Sequence, residues 1–288
     1  MIVVLMILVV MSLIVMQFSF SMTLNRMIAV NNTETTQLKY LAYGGIEYTK
    51  NVLRVDRQRD EFDSLHDSWA NVNPPFEPSF KIDVEVQDEC GKINVNALVK
   101  GDFVNIPMKE ILERLFLDLD INIEFVHVLA DYIDRDNEGE FEDGAKNAPL
   151  DNLTELLNFD YITSDIFFSK YDEEGEKIEG LVDLLTIHGH GKINVNTAPD
   201  KVIMAVFGKA ANELGAFQDY RERNTVKTVE ELIPLGFTNA SSVSSELGFG
   251  SDFFRLISRA YSERLTKTVE CLLIRGTQRV KVLEQRIY

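Results

Sequence analysis

The N-terminal segment limits the possible folds of this chain more than any other feature. Residues Met1–Met22 contain no charged side chain, and the first charge in the sequence is Arg26. About 20 apolar residues in a helix are enough to cross the hydrocarbon core of a bilayer. A cleaved secretory signal would carry a basic region before its apolar core and small residues at the cleavage site, and neither is clear here. We therefore predict a transmembrane helix over residues 1–22 that stays on the protein.

The helical period continues beyond this apolar segment. Apolar side chains recur at three- and four-residue steps from Met27 to Leu53, and no proline occurs before Pro74. The sequence therefore predicts an amphipathic extension over residues 23–58, giving a helix roughly 85 Å long at 1.5 Å per residue. The pair Gly44-Gly45 predicts a bend or a close approach to another element. A helix half in lipid and half on a globular head is typical of an assembly protein.

The hexapeptide Gly-Lys-Ile-Asn-Val-Asn occurs twice, at Gly91–Asn96 and at Gly191–Asn196. In each copy a glycine precedes a short apolar and polar alternation, and Asn side chains tend to bond nearby backbone groups. This pattern predicts a strand end that leads into a turn or a helix cap. A helical pattern follows each copy, so we interpret the hexapeptide as a reused structural corner rather than an active site.

Alternating patterns predict strands at both ends of the body, with helices between them. One strand is expected at Phe80–Val86, after a proline-rich break. An antiparallel meander is expected near the C-terminus, over Phe253–Tyr261, Thr268–Arg275 and Gln278–Arg286. Helical patterns fill the middle at 108–119, 123–132, 153–157 and 200–235. The predicted fold class is therefore α+β, with a helical domain inserted into a β-containing head.

The balance of charge limits the partners that the body can bind. The formal net charge of −17 repels nucleic acid phosphate and favours cations or basic protein surfaces. The segment at about 196–236 is similar to helix-hairpin-helix repeats, but its charged residues are net negative, so we interpret it as a packing module and expect no nucleic acid. Cys90 and Cys271 are too few for a disulfide scaffold, and whether they form one disulfide stays open.

Residues 134–143 form a strongly acidic loop that is the best candidate for a metal site. Its oxygen-bearing side chains at the first, third and fifth positions, followed by Gly139, imitate the first half of a calcium loop. The twelfth position is Ala145 instead of Glu, so the loop is not an EF-hand and further ligands must come from elsewhere. We hypothesise a calcium site, while a solvated acidic loop remains the alternative. The expected ligands are Asp134, Asp136, Glu138 and Asp143.

Patterns for other chemistry are weak. His188-Gly189-His190 is expected to be a loop, because alternate residues on a strand point to opposite faces and no cysteine or third histidine lies near it. We find no nucleophile signature and no phosphate-binding glycine loop, so no catalytic residue and no organic cofactor are predicted. Trp69, the only tryptophan, is expected to anchor a core.

A series of short motifs along the chain carries a family resemblance. They are Ile2-Val3-Val4-Leu5, Tyr43-Gly44-Gly45-Ile46-Glu47, Gly91–Asn96, Asp131-Tyr132-Ile133-Asp134-Arg135-Asp136, Gly144-Ala145, Asn152-Leu153-Thr154-Glu155-Leu156-Leu157 and Ile193-Asn194-Val195-Asn196-Thr197-Ala198. In the order and spacing of these motifs the chain resembles the minor pseudopilin K family of bacterial type II secretion systems.

The resemblance implies a pilin-like architecture. We expect a long N-terminal helix, a small antiparallel sheet head and a large inserted helical domain. The head would comprise residues 59–100 and 190–288, including the helix-hairpin-helix-like segment, and the inserted domain would comprise residues 101–189. The family binds calcium in its inserted domain, but Lys146 stands where the family tends to show an acid, so this chain lacks one expected ligand.

The resemblance also implies a function. Such a protein would initiate and cap the pseudopilus in a tip complex with other minor pseudopilins, a structural role rather than an enzymatic one. It would cross the bacterial inner membrane once, among other pilin-like helices, with its body in the periplasm. Precursors of the family begin with a short basic leader ending in Gly, whereas this sequence begins at the apolar run, either because its start is placed too late or because it is already shortened. No acid occurs in residues 1–22, where the main pilins carry a glutamate, and this is typical of the family. The alternatives are a minor pilin of a type IV pilus and a DNA-uptake protein with a helix-hairpin-helix site.

Overall fold

A computed structural model describes residues 1–75, 81–101, 103–136 and 138–288. Phe80, at the start of the first predicted strand, and Asn137, in the predicted calcium loop, lie outside the described residues.

The N-terminal helix α1 (Ile2–Arg57) is continuous over 56 residues. It is the one helix in the described part of the chain that is long and apolar enough to cross a membrane, by length and composition. Its side chains are exposed up to residue 33, Glu34 and Thr35 are half-buried, and a buried stripe begins at Leu38. Because the buried positions recur every three or four residues, one face of the outer half packs on the rest of the protein. These positions are Leu38, Ala42, Gly45, Ile46, Thr49, Leu53 and Asp56.

The helices and strands that follow α1 alternate between long strands at the ends and short elements in the middle. The α-helices that follow are α2 (Ile106–Asp118), α3 (Glu124–Ile133), α4 (Ser164–Phe167), α5 (Leu181–Leu184), α6 (Asp200–Phe207) and α7 (Gly215–Arg221). The strands are β1 (Lys81–Asp88), β2 (Ile93–Asn94), β3 (Val99–Lys100), β4 (Phe103–Val104), β5 (Lys170–Tyr171), β6 (Lys177–Ile178), β7 (Leu185–Thr186), β8 (Ile193–Asn194), β9 (Leu247–Gly248), β10 (Phe253–Tyr261), β11 (Thr266–Arg275) and β12 (Val280–Ile287). Several 3₁₀ helices connect them, including Leu153–Asn158 and Val229–Leu235.

The head is a four-stranded antiparallel sheet in the order β1-β10-β11-β12, with α1 along one face. The predicted C-terminal meander is therefore confirmed, although its last strand begins at Val280 rather than Gln278. Gly45 brings α1 close to the sheet, since an added Cβ would lie 2.5 Å from Ser258 Oγ and 2.8 Å from Ile82 Cδ1. Trp69 is fully buried in the core between α1 and the sheet, as predicted.

A second hydrophobic core holds the helical part of the chain together. It contains buried residues from Ile93 through Leu247, and we call this unit, residues 92–249, the helical body. The predicted inserted domain and the helix-hairpin-helix-like segment share this single core, and α2 packs directly on α6. The division at residues 101 and 189 therefore stays a prediction, and the packing instead places both hexapeptides inside the helical body. The chain leaves the head after Asp88 and returns at Ser251.

The two hexapeptides form the same structural corner, as predicted. The Ile-Asn of each copy is a two-residue strand with a parallel partner, β7 for the first copy and β9 for the second. The first Asn then accepts a hydrogen bond from the backbone N–H of the second Asn, at 3.0 Å from Asn96 to Asn94 and at 3.1 Å from Asn196 to Asn194. This side-chain cap turns the backbone out of the strand.

The second Asn of each corner holds a distant segment by two hydrogen bonds to one residue. The Asn96 amide exchanges bonds of 2.8 and 3.0 Å with the backbone of Leu150. The Asn196 amide exchanges bonds of 2.8 and 2.9 Å with the backbone of Val226. The sequence separation is 54 residues in the first case and 30 in the second. The first span contains α2, α3 and the acidic loop, and the second contains α6 and α7. The acidic loop therefore has no counterpart in the second span.

Candidate functional site

The acidic loop brings three carboxylates together at the end of α3. One oxygen each from Asp134, Asp136 and Glu142 lies within 4.8 Å of the others. Asp134 is buried where α3 ends, and Asp136 and Glu142 are more exposed than Asp134. Like charges this close disfavour one another unless a cation or a proton neutralises them.

Glu142 shows how well the cluster suits a cation. Both of its carboxylate oxygens are buried, and neither has a hydrogen-bond partner among the described residues. A buried carboxylate without partners is strongly unfavourable, so such a group is normally paired or bound to a metal. Hard oxygen ligands of this kind are those that calcium prefers.

Backbone contacts fix the shape of this loop. Asp136 Oδ1 accepts from the Glu138 N–H at 2.9 Å, and the Asp136 carbonyl accepts from Asn147 Nδ2 at 2.7 Å. The Phe141 N–H donates to Asp131 Oδ2 at 2.9 Å, which returns the chain to α3. The loop therefore doubles back on α3, and Glu142 follows directly after the returning residue.

The structure places the four predicted ligands unequally. Asp134 and Asp136 lie in the cluster, whereas Glu138 and Asp143 are exposed and are not among the three neighbouring carboxylates. Sequence reasoning missed Glu142. The signal for it was Phe141, an apolar residue in an acidic run, whose side chain packs against the core and draws Glu142 inward.

Lys146, which replaces an expected acid, forms ion pairs outside this cluster. Its Nζ lies 2.8 Å from Asp151 Oδ2 and 3.0 Å from Glu155 Oε2. The bond to Asp151 is the main reason that the pKa of Lys146 is raised, and the Glu155 carboxylate adds to it. The Lys146 ammonium is therefore paired with acidic residues at the start of the following 3₁₀ helix and not with the carboxylates of the acidic loop.

A second acidic group, made of Asp56, Asp63 and Asp67, already contains a cation from the protein. Arg275 is 2% exposed, and its guanidinium donates to Asp56 Oδ2 at 3.1 Å and also pairs with Asp63. Burial raises the pKa of Asp56 to about 6, with Asp67 and Asp63 adding to the rise and Arg275 opposing it. We interpret this group as a structural ion pair between α1, the linker after it and β11.

The remaining predicted features have structural roles. His188 and His190 lie in a loop, as predicted, and Gly189 between them has a φ of 107°. Cys90 and Cys271 are both free in the structure, so the disulfide that the sequence left open is not formed. Both thiols are buried, and burial raises the pKa of each to about 12. Arg221, in the helix-hairpin-helix-like segment, pairs with Asp200 at 2.9 Å.

The architecture defines a class of protein. A long helix with an exposed apolar first half, packed by its second half along a small antiparallel sheet, is the arrangement of a pilin-like subunit. The helical body is added between the first strand of that sheet and the other three.

Comparison with known proteins finds a relative and a similar fold among type II secretion proteins. No protein-family model matches the chain. The chain is 26% identical over 251 residues to Type II secretion system protein K of Pseudomonas aeruginosa, covering 80% of this chain and 74% of that protein. Its fold matches a chain in the crystal structure of the GspK-GspI-GspJ complex from the type 2 secretion system of enterotoxigenic Escherichia coli, with a TM-score of 0.67, 18% identity, and coverage of 90% of this chain and 98% of that chain. These similarities bear out the predicted resemblance to the minor pseudopilin K family of type II secretion systems, and the matching fold confirms the α+β fold class.

Proposed function

We propose that this chain is a minor pseudopilin that initiates and caps the pseudopilus in a complex with other minor pseudopilins. The observation that carries the proposal is the contrast between the two halves of α1. Residues 1–33 are exposed although many are apolar, so this half needs lipid or partner helices around it. The bulky helical body suits a terminal subunit better than one repeated along a filament. The solved relative is part of a GspK-GspI-GspJ complex, which supports partners of the same kind here.

Residues 1–22 are proposed as a single anchor in the bacterial inner membrane, with the head and helical body in the periplasm. The length, composition and exposure of this part of α1 support the anchor. Residues 23–33 would then lie between the membrane and the head, where they can pack against neighbouring helices.

Co-purification tests the proposed complex. The full-length chain would be extracted in detergent with the other minor pseudopilins of the same system. Met27 is 60% exposed, and Met27→Glu places a charge on the apolar part of α1 beyond the anchor. We expect this variant to lose the partners, while Asn32→Glu, at an exposed polar position of the same segment, keeps them. Equal recovery of the partners by both variants would contradict packing through this surface.

We also propose that the acidic loop binds calcium through Asp134, Asp136 and Glu142. The support is the convergence of three carboxylates, the unpartnered oxygens of Glu142, and the engagement of Lys146 elsewhere. Calcium takes six to eight oxygens, so backbone carbonyls or water would complete the shell. Glu138 and Asp143 stay predicted ligands that would need a change in the loop to reach the ion. Bound calcium would hold the loop against α3.

Calorimetric titration of the full-length chain with CaCl₂ tests this site. Glu142→Gln keeps the shape of the side chain but removes its charge, and we expect it to weaken calcium binding at least tenfold. Asp165→Asn, at a side chain that is 87% exposed and far along the chain, serves as the control and should bind like the unmodified protein. If calcium gives no heat, or if chelator does not change the thermal midpoint of the unmodified protein, the loop is only a solvated acidic segment.

A further inference from the structure

A polar network lies where the chain crosses between the head and the helical body. Asp88 ends β1 on the outgoing crossing, and Ser251 lies on the returning one. Asp88 Oδ2 accepts hydrogen bonds from Ser251 Oγ at 2.5 Å and from Thr197 Oγ1 at 2.6 Å. It also accepts from Asn194 Nδ2 at 3.2 Å, and Oδ1 accepts from the Cys90 N–H at 2.8 Å. One carboxyl group therefore joins both crossings to the second hexapeptide.

The neighbouring Glu89 shows what Asp88 lacks. Glu89 is 2% exposed and pairs with Arg255 Nε at 2.7 Å and with Lys92 Nζ at 3.3 Å. Burial alone would raise the pKa of Glu89, but Lys92 and Arg255 outweigh it and lower the pKa to about 2. All four donors to Asp88 are neutral groups. Withdrawal of the carboxyl from water raises the pKa of Asp88 to about 6 even though the hydrogen bonds oppose the rise, and Asp63 adds to it.

The surroundings of Asp88 are mostly acidic. Asp63 is tied to it through Ser251, whose N–H donates to Asp63 Oδ2 at 2.7 Å. Arg275 is the buried cation of this region and is already shared by Asp56 and Asp63. The titratable and charged groups that face the junction are Asp56 and Arg57 on α1, Asp63 and Asp67 on the linker, Cys90, His190 and Asp252 at the crossings, and Arg275 on β11.

The hydroxyl groups around Asp88 can accommodate a proton without moving any heavy atom. A proton taken from solvent onto Oδ2 can be donated to Thr197 Oγ1. The Thr197 hydroxyl then turns its own hydrogen toward the Asn194 carbonyl, which lies 3.4 Å away. Hydroxyl groups both donate and accept, so the network remains bonded in either protonation state.

We propose that this junction is a proton-sensitive latch, in which Asp88 takes up one proton in mildly acidic medium and thereby tightens the attachment of the helical body to the head. The sign follows from linkage. The folded protein holds the Asp88 proton more tightly than the unfolded chain, so the added stability is complete below the unfolded pKa near 3.8 and is lost as the pH rises through about 6.

The Asp88→Asn variant tests the latch because an amide has the shape of the neutral acid. A rise of about two pKa units corresponds to roughly a 100-fold change in the folding equilibrium constant. In urea titrations of the full-length chain in detergent, we expect the variant to be more stable than the unmodified protein at pH 8, by up to that factor. At pH 5, which is still above the unfolded pKa, the advantage of the variant should fall to roughly tenfold, and it should reach about twofold only near pH 3.8. Asp83→Asn, on the same strand and 60% exposed, should show a difference that does not change with pH. The latch is wrong if Asp88→Asn weakens folding by the same factor at both pH values.

A measurement on the unmodified protein covers the case in which the variant does not fold. Amide hydrogen exchange at pH 5 and pH 7, with exchange times scaled for the intrinsic rate, should show weaker protection at pH 7 for peptides covering 88–92 and 249–253. Peptides from α2 should be equally protected at both pH values. Equal protection of the crossings at both pH values would also overturn the proposal.

Discussion

Arg275 is the residue whose loss should reveal most about how α1 is held to the head. It is fully enclosed, pairs with Asp56 and Asp63, donates to the Ser251 carbonyl at 2.6 Å, and lies 4.8 Å above the Phe254 ring. The substitution Arg275→Met keeps much of the side-chain volume and removes the charge. It leaves two buried carboxylates facing each other without a cation.

The expected loss follows from the burial of this group. Removing one partner of a buried ion pair costs about 3–5 kcal/mol, because the other charge stays in a medium that solvates it poorly. We expect a loss of about 4 kcal/mol at pH 7.5, which corresponds to a fall in thermal midpoint of roughly 10 °C for a chain of this size. The pKa of Asp56 is already raised to about 6 with Arg275 present, and it should rise further without it. Protonation then relieves part of the penalty, so the loss should shrink to about half at pH 5.

The chain provides its own probe for this measurement. Trp69, the only tryptophan, is fully buried, and its ring centroid lies 5.0 Å from that of Phe254, so its fluorescence reports unfolding of the head. Urea titrations of the full-length chain in detergent would be compared with Arg279→Met, an exposed arginine in the next turn. Adding Asp63→Asn to Arg275→Met should restore about 2 kcal/mol. A loss below about 1 kcal/mol at both pH values would refute the reasoning.

Three further predictions concern packing and caps. Gly45→Ala should destabilise the head by about 1–3 kcal/mol, because the new Cβ would clash with Ser258 and Ile82 of the sheet. The urea midpoint measured by Trp69 fluorescence should fall, and an unchanged midpoint would show that α1 can shift away from the sheet. Asn196→Ala should destabilise the helical body by about 2–3 kcal/mol and lower its thermal midpoint, because two buried backbone groups of Val226 lose their hydrogen-bond partners. An effect under about 0.5 kcal/mol, roughly that of a surface substitution, would contradict the structural role of this corner. Lys146→Met should cost less than about 1 kcal/mol in the same melt and leave calcium affinity within twofold, whereas a large change in affinity would place Lys146 at the metal site.

Features with a local period could be predicted from the sequence. The outer half of α1 and the strands β10 and β11 repeat their apolar residues with the period of a helix or a strand, and these patterns need no knowledge of distant residues. The two corners were also accessible, because a repeated hexapeptide rich in Asn specifies its own caps. The residues that the corners bind, Leu150 and Val226, were not predicted, since only the folded chain brings them to Asn96 and Asn196.

The candidate site could be located by composition but not specified in detail. The acidic run pointed to residues 134–143, yet the choice of Glu142 over Glu138 depends on how Phe141 is packed and on its bond to Asp131. The network around Asp88 had no local signal. Its members Asp88 and Ser251 are 163 residues apart, and Asp63 and Arg275 are 212 residues apart.

The closeness of the two crossings has a consequence for how such tip subunits can diversify. Because β1 and β10 pair side by side up to Asp88 and Phe254, and Ser251 Oγ donates a hydrogen bond of 2.5 Å to Asp88, the two ends of the helical body leave the sheet next to each other. Natural variation can enlarge, shorten or exchange the helical body while α1 and the sheet keep their geometry. The same α1 and sheet can therefore carry helical bodies of different size and surface.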